Sequence, residues 1–178
     1  MNGKVHVAIG VATTVCLCLK YPTGVELFGM PMLPEIMLLS VSAGSYAPDI
    51  DNPRTHAGAK HKGMSKVINK AGGGHRGITH TLLFPIALAV CCYFIQSTLS
   101  AYHALNVFLL SIVGGFLIGW VLHILTDLLN GKGCPIFWPL MKSKVHIIDL
   151  PSTGIVPWIV VAVYSAFIAF ITIGGFIK

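Results

Sequence analysis

The sequence predicts an all-α protein, a multi-pass bundle of transmembrane helices that forms one membrane-embedded domain over residues 1–178. Composition is the first reason: 54% of the residues are hydrophobic and 10% are charged, whereas soluble domains carry about 25% charged residues. The second is a mean hydropathy of +0.78. The third is that apolar runs recur along the whole chain, which indicates that lipid rather than water surrounds most of it.

Five apolar segments approach the roughly 20 residues that a transmembrane helix needs. We predict a membrane segment over each of residues 5–19, 33–47, 82–99, 104–129 and 155–177. The first two are short, and Glu35 weakens the second, so they are alternatively half-buried or re-entrant helices. Lys4 and the apolar run after it also suit a signal peptide, but no small-x-small cleavage motif follows Leu19, and we expect the segment to be retained.

Basic residues lie mostly on one side of the five predicted segments. With five spans, the N-terminus and the loops over 48–81 and 130–154 share a side that carries ten of the twelve Lys and Arg residues, leaving Lys20 and Lys178 opposite. Loops rich in Lys and Arg face the cytoplasm. We therefore predict that the N-terminus and both long loops are cytoplasmic.

Residues 62–71 carry an amphipathic pattern inside the first of these loops. Lysines recur every four residues, and apolar residues mark the opposite face, at Met64, Val67, Ile68 and Ala71. Such a helix lies well in the headgroup plane of a membrane, and the glycines at 72–74 are expected to end it. An ordinary solvated helix is the alternative.

Seven histidines and aspartates lie at the predicted cytoplasmic ends of the membrane segments. They are His6, Asp49, Asp51, His75, His80, His123 and Asp127. Ionisable residues at such positions are costly and indicate function, and mixed His and Asp ligands suit a divalent metal. We predict that they converge on a metal site, with His146 and Asp149 as further candidates, whereas His56, His61 and His103 are not expected to join.

The sequence spacing within two pairs of these residues, His123 with Asp127 and Asp49 with Asp51, predicts how their side chains are oriented. His123 and Asp127 in HILTD share a helix face and lie about 6 Å apart along the axis, so both can ligate one ion. A hydrogen bond between the two side chains is an equally good interpretation. Prolines flank Asp49 and Asp51 in PDIDNP, and we expect an extended corner there that points both carboxylates the same way.

GHRGITHT, residues 74–81, predicts an anion site beside the metals. His75 and His80 are about 140° apart on a helix and cannot share its face. We expect a loop carrying His75 and a helix that starts near Thr79, with Thr79 or Thr81 as the N-cap. The free N–H groups of that helix terminus, together with Arg76, would bind a substrate phosphate.

Four stretches, taken together and in order, resemble a known family. They are NGKVHVAIG, PDIDNP, GHRGITHTLLF and GWVLHILTDLLNGKGCPIFWPL. The chain resembles the YdjM-like family of membrane-bound metal-dependent hydrolases, whose customary name also links it to LexA. The resemblance implies a bacterial inner membrane protein, and it matches all seven polar residues above to the family's polar positions. Asn130 and Gly131 depart from the Thr-Pro expected there.

That family is remotely similar in its His and Asp composition to zinc-dependent phospholipase C, which implies a multinuclear zinc site. We therefore expect a hydrolase that acts at the cytoplasmic membrane surface on a phospholipid or another amphiphilic phosphoester or ester. Metal-activated water would be the nucleophile, with two or more zinc ions, or manganese or magnesium instead. Asp51 or Asp127 would serve as general base, and Arg76 would hold the substrate phosphate with Thr79 and Thr81.

Two alternatives stay open at this point. A metal-ion transporter would use the same residue types but place them near the bilayer midplane, and a non-catalytic membrane protein would hold a structural, coordinatively closed ion. Membrane lipids are the expected partners, and no nucleic acid is expected because the basic loops lack interleaved aromatic residues. Gly114, Gly115 and Gly119 permit close helix approach, within the chain or in a homo-oligomer.

Overall fold

The computed structural model describes residues 2–21, 24–72, 74–99, 101–141 and 143–174. The predicted all-α class is confirmed, with 68% of the structure helical. The α-helices in these ranges are α1 (Gly3–Lys20), α2 (Pro34–Tyr46), α3 (His56–Lys60), α4 (Lys62–Ala71), α5 (Leu83–Thr98), α6 (His103–Asp127) and α7 (Val156–Gly174). Two 3₁₀ helices span Ala47–Asp51 and Ile78–His80. A short antiparallel hairpin that the sequence analysis did not predict joins α1 to α2, with strands β1 (Val25–Leu27) and β2 (Met30–Met32).

The predicted count of five spans is not confirmed. Among the described helices, α1, α6 and α7 are long and apolar enough to cross a membrane. Helix α2 has 13 residues and α5 has 16, fewer than the roughly 20 needed. The segment expected to be short, at 5–19, thus forms a helix long enough to span, whereas the segment predicted at 82–99 forms a shorter one.

Some predictions fall beyond the described residues. These are the end of the fifth segment at 175–177, the side assignments of Lys142 and Lys178, and the role of Gly73 in ending the amphipathic helix.

Helices α2 and α6 pack with their backbones in contact. A Cβ atom at Gly44 of α2 would overlap the Phe116 carbonyl oxygen of α6, and one at Gly119 of α6 would overlap the Val41 carbonyl oxygen of α2. Small residues allow this approach between helices in a membrane, where tight packing replaces the hydrophobic effect. Two glycines predicted to permit close approach, Gly115 and Gly119, are therefore used within the chain.

This packing brings three helix ends together. Helix α1 starts after Asn2, whose side chain caps it by accepting a hydrogen bond from the Lys4 backbone N–H at 3.2 Å. His6, one turn later, contacts the last turn of α6 through Thr126, and His123 of α6 contacts the Ser45 carbonyl near the end of α2. Helix α1 thus runs opposite to α2 and α6, and its start meets their ends.

Helix α4 forms over the residues that the amphipathic pattern predicted. Its Ser65 is fully buried against the protein, whereas Met64 and Val67 are 48% and 67% exposed. An exposed apolar face on a basic helix suits contact with a membrane surface. The interfacial placement of α4 stays a prediction.

The α2–α6 contact predicts a stability difference between two glycine substitutions. Gly119→Ala places its Cβ against the Val41 carbonyl and the Ser45 backbone nitrogen, and overpacking of this kind costs about 1–3 kcal/mol. We expect a lower melting temperature for the detergent-solubilised variant, measured by size exclusion after heating.

Gly63→Ala is the matched control, because nothing lies within 4 Å of a Cβ at that helical position. It should melt at or slightly above the parent temperature, since alanine favours a helix. Equal melting temperatures for the two variants would contradict the close packing of α2 on α6.

Candidate metal centre

The seven predicted ligands lie together at the end of the bundle where α1 starts and α6 ends. Six are buried, and His75 has a side chain 36% exposed. Within the described chain, their ligand atoms form three overlapping groups, each with all atoms within 4.8 Å: His6, His123 and Asp127; Asp49, His80 and His123; Asp49, Asp51 and His75. Because the groups share His123 and Asp49, the arrangement is one continuous cluster.

His123 is held in the tautomer that a metal ligand requires. Its Nδ1 lies 2.7 Å from the Ser45 carbonyl oxygen, which only accepts, so Nδ1 carries the proton and donates. Nε2 is then the lone-pair nitrogen. It is buried without a hydrogen-bond partner and lies 3.8 Å from an oxygen of Asp49. Metal-binding histidines are oriented in this way by a hydrogen bond from the other ring nitrogen.

His80 is held in the same tautomer by two hydrogen bonds in series, from its Nδ1 to Thr79 and from Thr79 to Asp51. The Thr79 hydroxyl donates to Asp51 at 2.8 Å and therefore accepts from His80 Nδ1 at 3.0 Å. His80 Nε2 is buried without a hydrogen-bond partner and lies 3.8 Å from Asp49 and 3.7 Å from Asp127. The lone pair on His80 Nε2 is therefore directed between the carboxylates of Asp49 and Asp127.

His6 completes the set from α1. The hydroxyl of Thr126 donates to a backbone carbonyl of its own helix and accepts from His6 Nδ1 at 2.6 Å. The His6 ring stacks on His123 with centroids 3.8 Å apart, and its Nε2 lies 3.4 Å from Asp127. Three imidazoles therefore present Nε2 to the carboxylates Asp49 and Asp127.

Asp49 and Asp51 reach the cluster from a different backbone than predicted. The extended corner was wrong: residues 47–51 form a 3₁₀ helix, in which residues two apart point in different directions. The two carboxylates lie on opposite sides of one ring, Asp49 near His80 Nε2 and Asp51 near His80 Nδ1. Both still join the cluster because His80 lies between them.

The surroundings of Asp49 and Asp51 shift the pKa values of the two carboxyl groups in opposite directions. Burial raises the pKa of Asp49, and the nearby His80 and His6 only partly offset this. Burial would also raise the pKa of Asp51, but hydrogen bonds from His75 and Thr79 and the nearby His80 outweigh it and hold the pKa below its ordinary value. Asp51 is thus a firmly ionised anchor rather than a group suited to take up a proton.

Arg76 is buried inside the cluster and not presented to solvent. Its guanidinium lies 2.9 Å from Asp127 and donates to Asn130 at 3.3 Å. Its backbone has a φ of +59°, uncommon for a residue with a side chain, and its N–H donates to Asp51 at 3.0 Å. The arginine predicted to hold substrate phosphate therefore has Asp127 as its partner here.

The predicted N-cap was wrong. Thr79 lies within a 3₁₀ turn that ends at His80, and α5 begins only at Leu83 with Leu82 as a cap that makes no side-chain hydrogen bond. The Thr81 hydroxyl donates to the Ile78 carbonyl at 2.8 Å. Thr79 does not cap the helix because its hydroxyl donates to Asp51 and accepts from His80. The expected loop around His75 does form.

Other histidines and acids lie outside the three ligand groups. His146 and Asp149 are exposed, and Asp149 accepts a hydrogen bond from the Gly131 backbone N–H at 3.0 Å. His56 packs near Tyr46, with ring centroids 5.2 Å apart. His56, His61 and His103, which were not expected to join the site, belong to none of the three groups found among the described residues. The candidates His146 and Asp149 do not belong to them either.

Sequence reasoning missed the residues that orient the ligands. Thr126 and the Ser45 carbonyl position two imidazoles, Asn130 accepts from Arg76, and Trp120 donates from its indole nitrogen to the Thr79 carbonyl at 3.1 Å. A backbone carbonyl leaves no trace in a sequence. Thr126, inside HILTD, was the one detectable signal.

Comparison with known proteins agrees with this architecture. The family described as "YdjM inner membrane protein" matches residues 1–177. The chain is 37% identical over 94 residues to "Inner membrane protein YdjM" of Escherichia coli, which is 52% of this chain and 43% of that protein. It is 30% identical over 139 residues to "Uncharacterized protein YvsG" of Bacillus subtilis, 78% of this chain and 74% of that protein.

The alignment thus spans less than half the length of the Escherichia coli relative, and no solved structure matches the chain significantly. The family match nevertheless extends over the whole fold and includes every residue of the ligand cluster. The chain therefore belongs to the YdjM family of bacterial inner membrane proteins.

Proposed function

We propose that this protein is a metal-dependent hydrolase that acts at the cytoplasmic surface of the inner membrane on a phospholipid or another amphiphilic phosphoester. The observation that carries the proposal is the common orientation of His6, His80 and His123. Each donates from Nδ1 and directs Nε2 toward Asp49 or Asp127. The Nε2 atoms of His80 and His123 are buried without a hydrogen-bond partner, which is unfavourable by about 1–3 kcal/mol each, and a bound cation would remove that cost.

The donor set fits zinc, with manganese or magnesium as the alternatives. It consists of imidazole and carboxylate, and among the described groups no cysteine takes part. A bound divalent ion would supply a nucleophilic water near neutral pH and polarise a phosphoryl oxygen. Two shared ligands, Asp49 and His123, support a site with more than one ion.

The cluster differs in exposure from one end to the other, and this supports different roles. The group of His6, His123 and Asp127 is fully buried, whereas the group of Asp49, Asp51 and His75 reaches the surface at His75. An exchangeable water needs an open position, so we assign substrate access to the His75 end. The Asp127–Arg76 pair then stabilises the buried end, and Asp51 anchors His75, His80 and the Arg76 backbone.

A non-catalytic protein with a structural ion is the second candidate, and the fully buried group favours it. A transporter is less well supported, because the ligands gather where α1 begins and α6 ends rather than at mid-helix. We assign the site to the cytoplasmic side because basic residues lie near this end of the bundle, and the positive-inside rule places such residues in the cytoplasm.

Thr126→Val tests the orienting hydrogen bond directly. The change keeps the shape of the side chain but removes the oxygen that His6 Nδ1 contacts at 2.6 Å. Loss of such a supporting partner typically weakens metal binding by about 10–100-fold. We expect this loss for zinc, measured by elemental analysis after dialysis against zinc buffers.

Thr14→Val is the matched control, since Thr14 is equally buried but donates within α1 to the Gly10 carbonyl. It should bind zinc as the parent protein does. If both variants lost zinc alike, or neither did, Thr126 would not support a ligand.

The hydrolase proposal predicts a product that depends on the ligands. Purified protein, zinc and mixed bacterial phospholipids should release a water-soluble phosphate product, detected by ³¹P NMR. His80→Ala and Asp127→Asn should lower the rate at least about a hundredfold, as expected when a group that acts in a unit is removed.

His103→Ala should leave that rate unchanged, because His103 is exposed at the start of α6, whereas the ligand groups lie near the end of that helix. Zinc bound with the parent stoichiometry but no product from any lipid fraction would favour the structural ion and count against the hydrolase.

Orientation is tested with two single cysteines at exposed lysines. Lys66 lies on α4 beside the cluster, and Lys20 lies at the far end of α1. We expect a membrane-impermeant maleimide to label Lys66→Cys only in inverted vesicles and Lys20→Cys only in right-side-out vesicles. The reverse pattern would place the site outside the cytoplasm.

A further inference from the structure

Two cavities adjoin each other beside the ligand cluster. The first, which we name the headgroup pocket, has a volume of about 310 Å³, and its lining includes Lys4, Arg54, Thr55, His56, Tyr46 and Asp49. The second, the tail groove, has a volume of about 410 Å³, and its lining includes Ala43, Ala47, Ile50, Ala57, Tyr46 and His56. The two share the wall formed by Tyr46 and His56.

The headgroup pocket has the charge of an anion site and borders the metal ligands. Asp49, its acidic lining residue, belongs to two of the three ligand groups. Lys4 and Arg54 bring two positive charges, and within the described chain neither side chain forms an ion pair. Uncommitted cations next to a metal ligand suit a phosphate whose ester bond faces that ligand. Arg76, in contrast, is already paired with Asp127.

The tail groove has the character of a binding site for an alkyl chain. Alanine and isoleucine form four of its nine lining residues, next to the rings of Tyr46 and His56, and the polar Ser42, Lys60 and His61 complete the lining. Ala43 follows Leu39 by four residues on one face of α2, and Ala47 follows after four more at the start of the 3₁₀ helix. Leu39 is 75% exposed. This apolar stripe leads from the tail groove along α2, away from the cluster.

The geometry points to a single composite site for an anionic lipid, with the phosphate in the headgroup pocket and the first carbons of an acyl chain in the tail groove. This inference rests on the proposed function and names its substrate-binding residues: Lys4 and Arg54 bind phosphate, and Tyr46 and His56 separate head from tail. Their ring centroids are 5.2 Å apart, so they form one continuous aromatic wall.

Two phosphonates distinguish a lipid site from a site for free phosphate. Methylphosphonate and octylphosphonate carry the same head, and neither has an ester to hydrolyse. With the zinc-loaded, detergent-purified protein, we expect octylphosphonate to bind at least about tenfold more tightly, because several methylene groups are buried. ³¹P NMR titration measures both affinities. Equal affinities would overturn the tail groove as part of the site.

Charge variants test the headgroup pocket. Arg54→Gln and Lys4→Gln should each weaken both phosphonates about tenfold, the usual effect of losing a charge-assisted contact. Lys66→Gln removes the same charge from the exposed face of α4, outside both cavities, and should change neither affinity. An equal loss in all three variants would show a general surface attraction and overturn the pocket.

Filling variants test the tail groove. Ala57→Phe should reduce the affinity for octylphosphonate to that for methylphosphonate and leave the latter unchanged. Ala43→Phe, at an exposed position on α2, provides a second variant should the first unfold. Ala59→Phe is the control, since Ala59 is exposed on the same short helix but does not line the groove. No selective loss in either folded variant would overturn the groove.

These binding measurements separate the two proposals. Selective octylphosphonate binding without hydrolysis of any lipid would contradict the hydrolase and support the lipid site. Hydrolysis that is unaffected by the pocket and groove variants would support the hydrolase and overturn the lipid site.

Discussion

The hydrogen bonds that fix three buried imidazoles are the constraint on which the rest of the structure depends. Asp49, Asp51 and Asp127 lie in one buried region, where Arg76 contributes a guanidinium. Buried carboxylates are unfavourable away from water unless positive charge compensates them. With the Nδ1 protons of the three histidines committed to oxygen atoms, their Nε2 lone pairs add to this negative potential. Cations at the centre, as in the proposed metal site, would offset that potential.

The fold is arranged to maintain this constraint. The Ser45 carbonyl reaches His123 because α2 and α6 approach until their backbones touch at Gly44 and Gly119. Thr126 reaches His6 because α1 starts where α6 ends. In a membrane, helix contact relies on close packing and polar bonds rather than on the hydrophobic effect. The glycine contacts and the orientation of the ligands are therefore one structural requirement.

Sequence alone predicted the helical membrane fold, the amphipathic α4 and the seven residues that the structure brings together. It failed where tertiary hydrogen bonds decide the backbone. Prolines around Asp49 suggested an extended corner, but a 3₁₀ helix places Asp51 where it accepts from Thr79 and from the Arg76 N–H. The same bond removes Thr79 as a helix cap, which delays α5 to Leu83 and shortens it below a full span. Partners distant in sequence have no local signature.

The position of Asp127 favours positive charge at this end of the bundle. It is the last residue of α6, where the helix dipole is negative and disfavours a carboxylate. A helix end of this kind normally carries Lys, Arg or His. Arg76 supplies one positive charge at 2.9 Å, but it does so from a left-handed backbone conformation that itself carries strain. Further positive charge near such a carboxylate stabilises it. The His6 and His123 nitrogens lie 3.4 Å and 3.9 Å from oxygens of Asp127 and would ligate a cation there in the proposed metal site.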